Sequence, residues 1–199
     1  CFLSMYTVYT TEGWVLGGIN VGENNRYIDL FTQDLGLIRG VAQGVRKLES
    51  KLRYGLQDLS YSKLSLVKGR EVWRIVNVEK MVNFEELLSD ADIVQLISRI
   101  FLLVRRLIKG EEKDATLFDD LNLALVLVDR NDLTGEELKN LETILVYRIL
   151  EKLGYIPENK QLSGTSTFIV WTAEVLKISD QIRLGMIRQI NDSLMHSHM

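Results

Sequence analysis

The sequence predicts an α+β protein of two domains, a five-stranded barrel over residues 5–80 followed by an all-helical domain over residues 83–199. Three observations carry the prediction. With 46% hydrophobic and 26% charged residues, the 199-residue chain has globular apolar content and length for one or two cores, which excludes general disorder. Nine of the fourteen glycines lie at or before Gly69, among short runs rich in Val, Ile, Thr, Tyr and Trp, the composition of strands and turns. From Val82 the apolar spacing becomes 3.6 and the segments turn long and Leu-rich. Strand patterns first and helix patterns afterwards rule out interleaved βαβ units.

The first strand is expected over Thr7–Ile19, with Gly13, Gly17 and Gly18 marking a sharp bend. A turn at Gly22-Glu23-Asn24-Asn25 leads to a second strand, Arg26–Gln33, and Asp34-Leu35-Gly36 to a third, Leu37–Gln43. Ser50–Leu56 breaks the period of two and suits a short helix with Ser50 as N-cap. Strands four and five, Leu59–Val67 and Glu71–Val78, face each other across Lys68-Gly69-Arg70. Three strands, a short helix and two strands is the order of the OB-fold barrel. A generic small barrel or sandwich shares that order; the glycine-bent first strand favours the OB-fold.

In the helical half, Asp92–Lys109 carries one apolar face and ends at Gly110. Ala115–Asp129, nearly all apolar after Phe118, is the expected centre of a bundle. Thr134-Gly135-Glu136-Glu137 is a capping box opening a helix to Leu153, closed by Gly154 with Pro157 beyond. A polar loop, Glu158–Thr167, precedes a last helix from about Thr172 to Leu194.

Composition also limits the chemistry. The cysteine is Cys1 and the histidines are His196 and His198, so nothing between Phe2 and Met195 supplies a thiolate or an imidazole. Disulfide scaffolds, the usual zinc sets, Cys nucleophiles and Ser-His-Asp triads are excluded from the interior. Neighbouring carboxylates such as Glu85-Glu86, Glu111-Glu112, Asp119-Asp120 and Glu136-Glu137 diverge on a helix and form no acid/base pair. The longest apolar runs, Ile100–Val104 and Leu123–Val128, are too short for a membrane span. No secretory leader pattern is visible, and a cytoplasmic, nucleoid-associated location is expected; Met5 is a candidate initiator, with Cys1–Ser4 either an upstream extension or the end of a truncated sequence.

The formal charge of −3 divides into +3 for residues 1–82 and −6 for residues 83–199, and reaches +6 within Arg39–Arg74. A basic stretch on an acidic protein reads either as a solvated face or as a polyanion site. For nucleic acid, cations must follow the phosphates and flat side chains must receive bases. Arg26, Arg39, Arg46, Lys47, Lys51, Arg53 and Arg74 are the cation candidates, and Tyr54, beside Arg53, is the preferred stacking residue. Trp73 and Phe31 are expected in the core, and Tyr27 shares their inward parity through Asp29. Arg105, Arg106 and Lys109 either extend the basic track or sit at a helix end facing its dipole. Arg148, within the apolar run Leu145–Leu150, is either a secondary contact or one half of a buried pair with Glu142, Asp119 or Asp120. A rival reading is an interaction scaffold whose basic face takes an acidic protein tail; a small nuclease is a more distant third.

Several motifs resemble one family. Val15-Leu16, Gly22-Glu23-Asn24-Asn25-Arg26 and Leu30-Phe31-Thr32-Gln33-Asp34-Leu35-Gly36 lead to Ala42-Gln43-Gly44-Val45-Arg46-Lys47 with Ser50 and Leu52. That last stretch is similar to the A-x-G-x-R-(R/K)-x-x-S-x-L segment of RecO, a family of bacterial recombination mediators. Arg148-Ile149-Leu150-Glu151 with Leu153-Gly154-Tyr155-Ile156-Pro157 resembles the family's R-L-L-E-x-L-G-Y-x-P. The resemblance spans residues 15–157. It implies an OB-fold barrel and a helical domain that bind single- and double-stranded DNA and anneal strands. It further implies contact with single-strand binding protein and with RecR in placing RecA recombinase on coated DNA, with no cofactor and no enzymatic step. Three departures stand out. Glu158-Asn159-Lys160 follow Pro157 where many members begin a zinc-binding cysteine set, so no zinc is expected; Val146 replaces an acidic residue; and the segment after Pro157 is short.

Overall fold

The computed structural model describes residues 7–81, 89–130, 133–157 and 171–196. The expected polar loop Glu158–Thr167 lies outside them. Five strands, β1 (Val8–Val21), β2 (Asn25–Thr32), β3 (Gly36–Ala42), β4 (Tyr61–Lys68) and β5 (Trp73–Lys80), close into a barrel in the order β1-β2-β3-β5-β4. All neighbours are antiparallel except β3 and β5, which pair in parallel at Gly40–Trp73 and Val41–Arg74. Four helices follow among the described residues: α1 (Ala91–Leu107), α2 (Ala115–Arg130), α3 (Gly135–Lys152) and α4 (Asp180–His196).

Strand β1 serves two partners. Its first half, Val8–Trp14, lies against β4 and its second, Gly13–Val21, against β2, so the strand must bend where it changes partner. The bend is a bulge between Val15 and Gly17, and Gly17 has φ = 132°, a conformation a side chain would strain.

Alternation sets the core. Val15, Ile28, Leu30, Ile38, Leu64, Leu66, Trp73 and Ile75 point into the barrel, joined by Ala42, Val45 and Leu56. Within β2 the interior parity is that of Ile28 and Leu30, which corrects the expectation for Tyr27: Tyr27, Asp29 and Phe31 lie on the outer face. Phe31 is nonetheless fully buried there, and Tyr27 half-buried.

The stretch between β3 and β4 is not the short helix expected over Ser50–Leu56. It is a succession of turns joined by single i→i+3 bonds, Lys47 N–H to Gly44 O, Ser50 N–H to Lys47 O and Arg53 N–H to Ser50 O. Packing explains the outcome. Val45, Leu52 and Leu56 all dip into the barrel, and a Cβ on Gly55 would stand 2.5 Å from Val78, so the backbone follows the barrel end instead of a helical axis. The carbonyl of Gly55 accepts hydrogen bonds from Ser60 Oγ and Ser62 Oγ at 3.0 and 2.8 Å.

The chain divides into two compact units, the cut falling inside α1 between Ile100 and Phe101. The first takes in the barrel and residues 101–115, whereas the sequence boundary stood at residues 80–83. Phe101 packs on Trp14 at 5.7 Å between ring centres, Glu111 accepts from Trp73 Nε1 at 2.9 Å and pairs with Lys68, and Lys113 pairs with Asp34 at 2.9 Å. The second unit holds residues 90–100 and everything described from 116 onward. Its α3 has the expected capping box, Thr134 and Glu137 bonding each other's backbone N–H, and closes with Gly154 at φ = 77°. The last helix starts at Asp180 and not near Thr172. Residues 173–176 form a separate turn, and Ser179 caps the helix by accepting from Ile182 N–H and Arg183 N–H.

Two expectations follow. Leu56→Ala removes the barrel's plug and should cost about 2–5 kcal/mol in denaturant unfolding. Asp34 accepts from Lys113 and Thr11, which hold its carboxyl below the ordinary value. Its stabilisation is therefore complete above the unfolded value of about 3.9 and fades as pH falls. The melting temperature of Asp34→Asn should accordingly drop less than that of the parent protein between about pH 6 and pH 3.

Candidate nucleic-acid interface

Six of the expected DNA-binding residues line two clefts of the first unit, Arg26, Arg46 and Arg53 in one and Arg39, Arg105 and Arg106 in the other. The larger, of about 550 Å³, is an open groove lined by Gly18, Asn20, Arg26, Val45, Arg46, Arg53, Leu56, Gln57 and Asp58. The smaller, of about 350 Å³, is lined by Asp29, Leu37, Arg39, Leu102, Arg105 and Arg106.

The groove grows out of the same stretch that plugs the barrel. Ala42 ends β3 in the core, Gly44 turns at φ = 66° with its N–H donated to Asn25 Oδ1, and Val45 re-enters the core. Arg46 then donates its backbone N–H to Asn24 O and its Nη1 to Gly22 O, so the β1–β2 turn and the crossing segment are stitched together. Because Val45, Leu52 and Leu56 face inward, the residues between them are turned out. Arg46, Lys47, Lys51, Arg53 and Tyr54 are all exposed, Tyr54 at 71%.

Arg26 has another role. Its side chain is only 17% exposed, donating to Leu56 O at 3.1 Å and forming an ion pair with Asp58. It ties β2 to the plug and supplies positive potential to the groove floor. Arg39 does not join this groove. It reaches Asp29 through Nε at 2.7 Å and Nη2 at 3.3 Å, and Arg105 reaches the same carboxylate at 2.6 Å. Burial opposes the charge on Asp29, but the hydrogen bonds and charges of Arg39 and Arg105 outweigh it and keep the carboxyl below its ordinary value. Arg74 is exposed on β5, and Lys109 is exposed beyond the end of α1; neither lines either of these two clefts. Of the aromatic residues weighed, Trp73 and Phe31 are buried and Tyr27 is half-buried, which leaves Tyr54 as the exposed ring beside the cations.

Arg148 requires correction as a secondary contact. It is 2% exposed, donates to Asp120 Oδ1 at 2.9 Å, and stacks 4.4 Å from the Trp171 ring, whose Nε1 donates to the same oxygen at 2.8 Å. Arg148 is a structural member of the helical unit, paired with one of the three mates its sequence context offered. Asp29, Asp58, Asn20 and Gln57 were missed. An outward acidic residue such as Asp29 is visible in a strand pattern, but its partners depend on register and on α1, which periodicity does not supply.

Among the described residues no three or more His, Cys, Asp or Glu side chains gather in a metal-holding group, and no helix is long and apolar enough to cross a membrane.

The closed five-stranded barrel, its mouth crossed by a cationic plug, makes this an OB-type barrel protein. Comparison with known proteins narrows the class. Residues 5–84 match the family described as recombination protein O, N-terminal. The chain is 31% identical over 153 residues to a DNA repair protein RecO of Heliobacterium modesticaldum, covering 76% of the chain and 53% of that protein. It is 28% identical over 147 residues to the DNA repair protein RecO of Alkaliphilus metalliredigens, covering 74% and 58%, and 27% identical over 154 residues to that of Gloeothece citriformis, covering 77% and 54%. The chain is thus similar to RecO proteins along three quarters of its length, and its barrel region matches the family's N-terminal domain. It spans a little over half the length of these relatives.

Removing one half of a buried ion pair leaves the other charge stranded. Asp120→Ala should therefore destabilise the protein by about 3–5 kcal/mol in chemical denaturation. Asp120→Leu combined with Arg148→Met should recover part of that loss.

Proposed function

We propose that the protein is a non-enzymatic DNA repair and recombination mediator whose barrel binds DNA along the groove formed by Arg26, Arg46 and Arg53, with Lys47, Lys51 and Tyr54 at its side. The observation that carries this reading is the arrangement of residues 44–58, where one alternation buries Val45, Leu52 and Leu56 and turns four cations and a tyrosine outward. Cations tracking a phosphate chain beside a free aromatic face are what a single strand needs, whatever its sequence. Arg26, bonded to Asp58 and Leu56, contributes field more than contact. The family supplies the rest of the proposal: binding of single and double strands, annealing, contact with single-strand binding protein, and work with RecR to load RecA. In this reading residues 5–80 are the DNA-binding domain, 83–199 a helical domain without the zinc-binding cysteines, and the setting is the cytoplasm at the nucleoid.

The test is fluorescence anisotropy of a labelled single-stranded oligonucleotide at two or more salt concentrations. Replacing Arg46, Lys47 and Lys51 with Glu should weaken binding and reduce the slope of log K against log salt by about two, since each lost phosphate contact on a single strand removes about 0.7. Unchanged affinity in the folded triple variant removes these residues from the site. Preference for an acidic peptide over the oligonucleotide would favour a protein-binding scaffold.

A further inference from the structure

Arg26 and Asp29 stand three residues apart on β2 and so face opposite sides of it. Arg26 shares the inward parity of Ile28 and serves the barrel end. Asp29 faces out, opposite Gly17 of β1 and Arg39 of β3 in the register of the sheet. Gly17 leaves the β1 side of Asp29 bare: a Cβ there would already touch Arg105 Nη1 at 3.4 Å. The bulge glycine thus opens a window through which an arginine of α1 reaches a carboxylate on β2.

That carboxylate is scarcely exposed, at 12%, and accepts from two guanidiniums at once. A guanidinium carries five N–H donors. Asp29 takes two from Arg39 and one from Arg105, which leaves most of both forks for a ligand. With Arg106 beside them the cleft holds three cations against one anion, on walls made apolar by Leu37 and the exposed Leu102. Long arginine side chains ordinarily lose rotamer freedom when a ligand fixes them, and here two are already held.

We propose that Asp29 is a positioning residue that holds Arg39 and Arg105 as a two-guanidinium seat for a phosphate group, a second DNA contact separate from the groove of residues 44–58. Planar guanidiniums match phosphate oxygens in pairs, which suits this seat better than lysines would. The proposal deepens the nucleic-acid reading, from which it takes its ligand.

Two physical expectations oppose each other at Asp29, which makes the test sharp. If the carboxylate only subtracts charge, Asp29→Asn should strengthen anion binding. If it positions the arginines, Asp29→Asn should weaken it despite the gain in positive charge. In the full chain we expect affinity for an oligodeoxythymidylate to fall roughly three- to tenfold, about 0.7–1.4 kcal/mol. Arg39→Ala and Arg105→Ala should each cost less in the Asn background than alone. Arg39→Lys keeps the charge and loses the fork; it should weaken binding as well, and serves should Asp29→Asn fail to fold. A second probe, inorganic pyrophosphate, is followed through the Nε–H resonances of Arg39 and Arg105. Movement of both with pyrophosphate in a protein that binds no oligonucleotide would sink the nucleic-acid reading and leave the seat standing. Folded Asp29→Asn that binds as tightly as the parent or tighter, unaltered binding by Arg39→Lys, or arginine resonances unmoved by either probe would overturn the proposal.

Discussion

A closed barrel gives the chain between β3 and β4 one route, across the barrel's mouth, and the rest of the first unit depends on that crossing. Residues 43–60 must seal the core and return to β4, which they do by sending Val45, Leu52 and Leu56 inward in a run of single turns. The cations cannot follow them in, because an unpaired charge in that core would be far costlier than exposure. One constraint therefore produces both a hydrophobic plug and a cationic outer surface. Ser60, Ser62 and Arg26 lock the crossing in place by donating to the carbonyls of Gly55 and Leu56.

The basic residues consequently differ in kind although composition counts them alike. Lys47, Lys51 and Arg53 are exposed on the crossing, where ion pairing with solvent counterions is easily exchanged for phosphate. Arg26 and Arg39 are each held by a carboxylate, and Arg148 is wholly enclosed by Asp120 and Trp171. Paired arginines lose part of their charge to the partner but gain a fixed orientation. A site built from both kinds combines an adaptable rim with rigid points.

The strands were legible because alternate residues enter the barrel, and Ile28, Leu30, Leu64 and Leu66 announce it. The long first strand was legible for a different reason: only glycines at the bend allow one strand to serve β4 and then β2. The crossing was not legible as turns, since Ser50–Leu56 has helix-compatible residues and the pressure against a helix comes from Val78 meeting Gly55. The outward residues of the crossing, Arg46, Lys47, Lys51, Arg53 and Tyr54, could be named from their context in a polar loop. Their carboxylate partners could not. Asp58 and Asp29 lie 32 and 10 residues from the arginines they hold, and only strand register and barrel closure bring them together.

The same limitation governs the boundary between the units. Periodicity reads α1 as one amphipathic helix ending near Lys109, and a helix in a Leu-rich region is naturally assigned to the helical half. Periodicity reports that a face is apolar and is silent on what covers it. Phe101 packs on Trp14, Arg105 reaches Asp29, and the polar residues just beyond the helix, Glu111 and Lys113, meet Trp73, Lys68 and Asp34. Each of these ties joins a barrel side chain to a residue that lies beyond the last strand in sequence. The barrel is thus completed by a segment that arrives some twenty residues after its last strand, and Arg105, which seemed an ordinary helix-end cation, is delivered by it to the wall where Arg39 already stands.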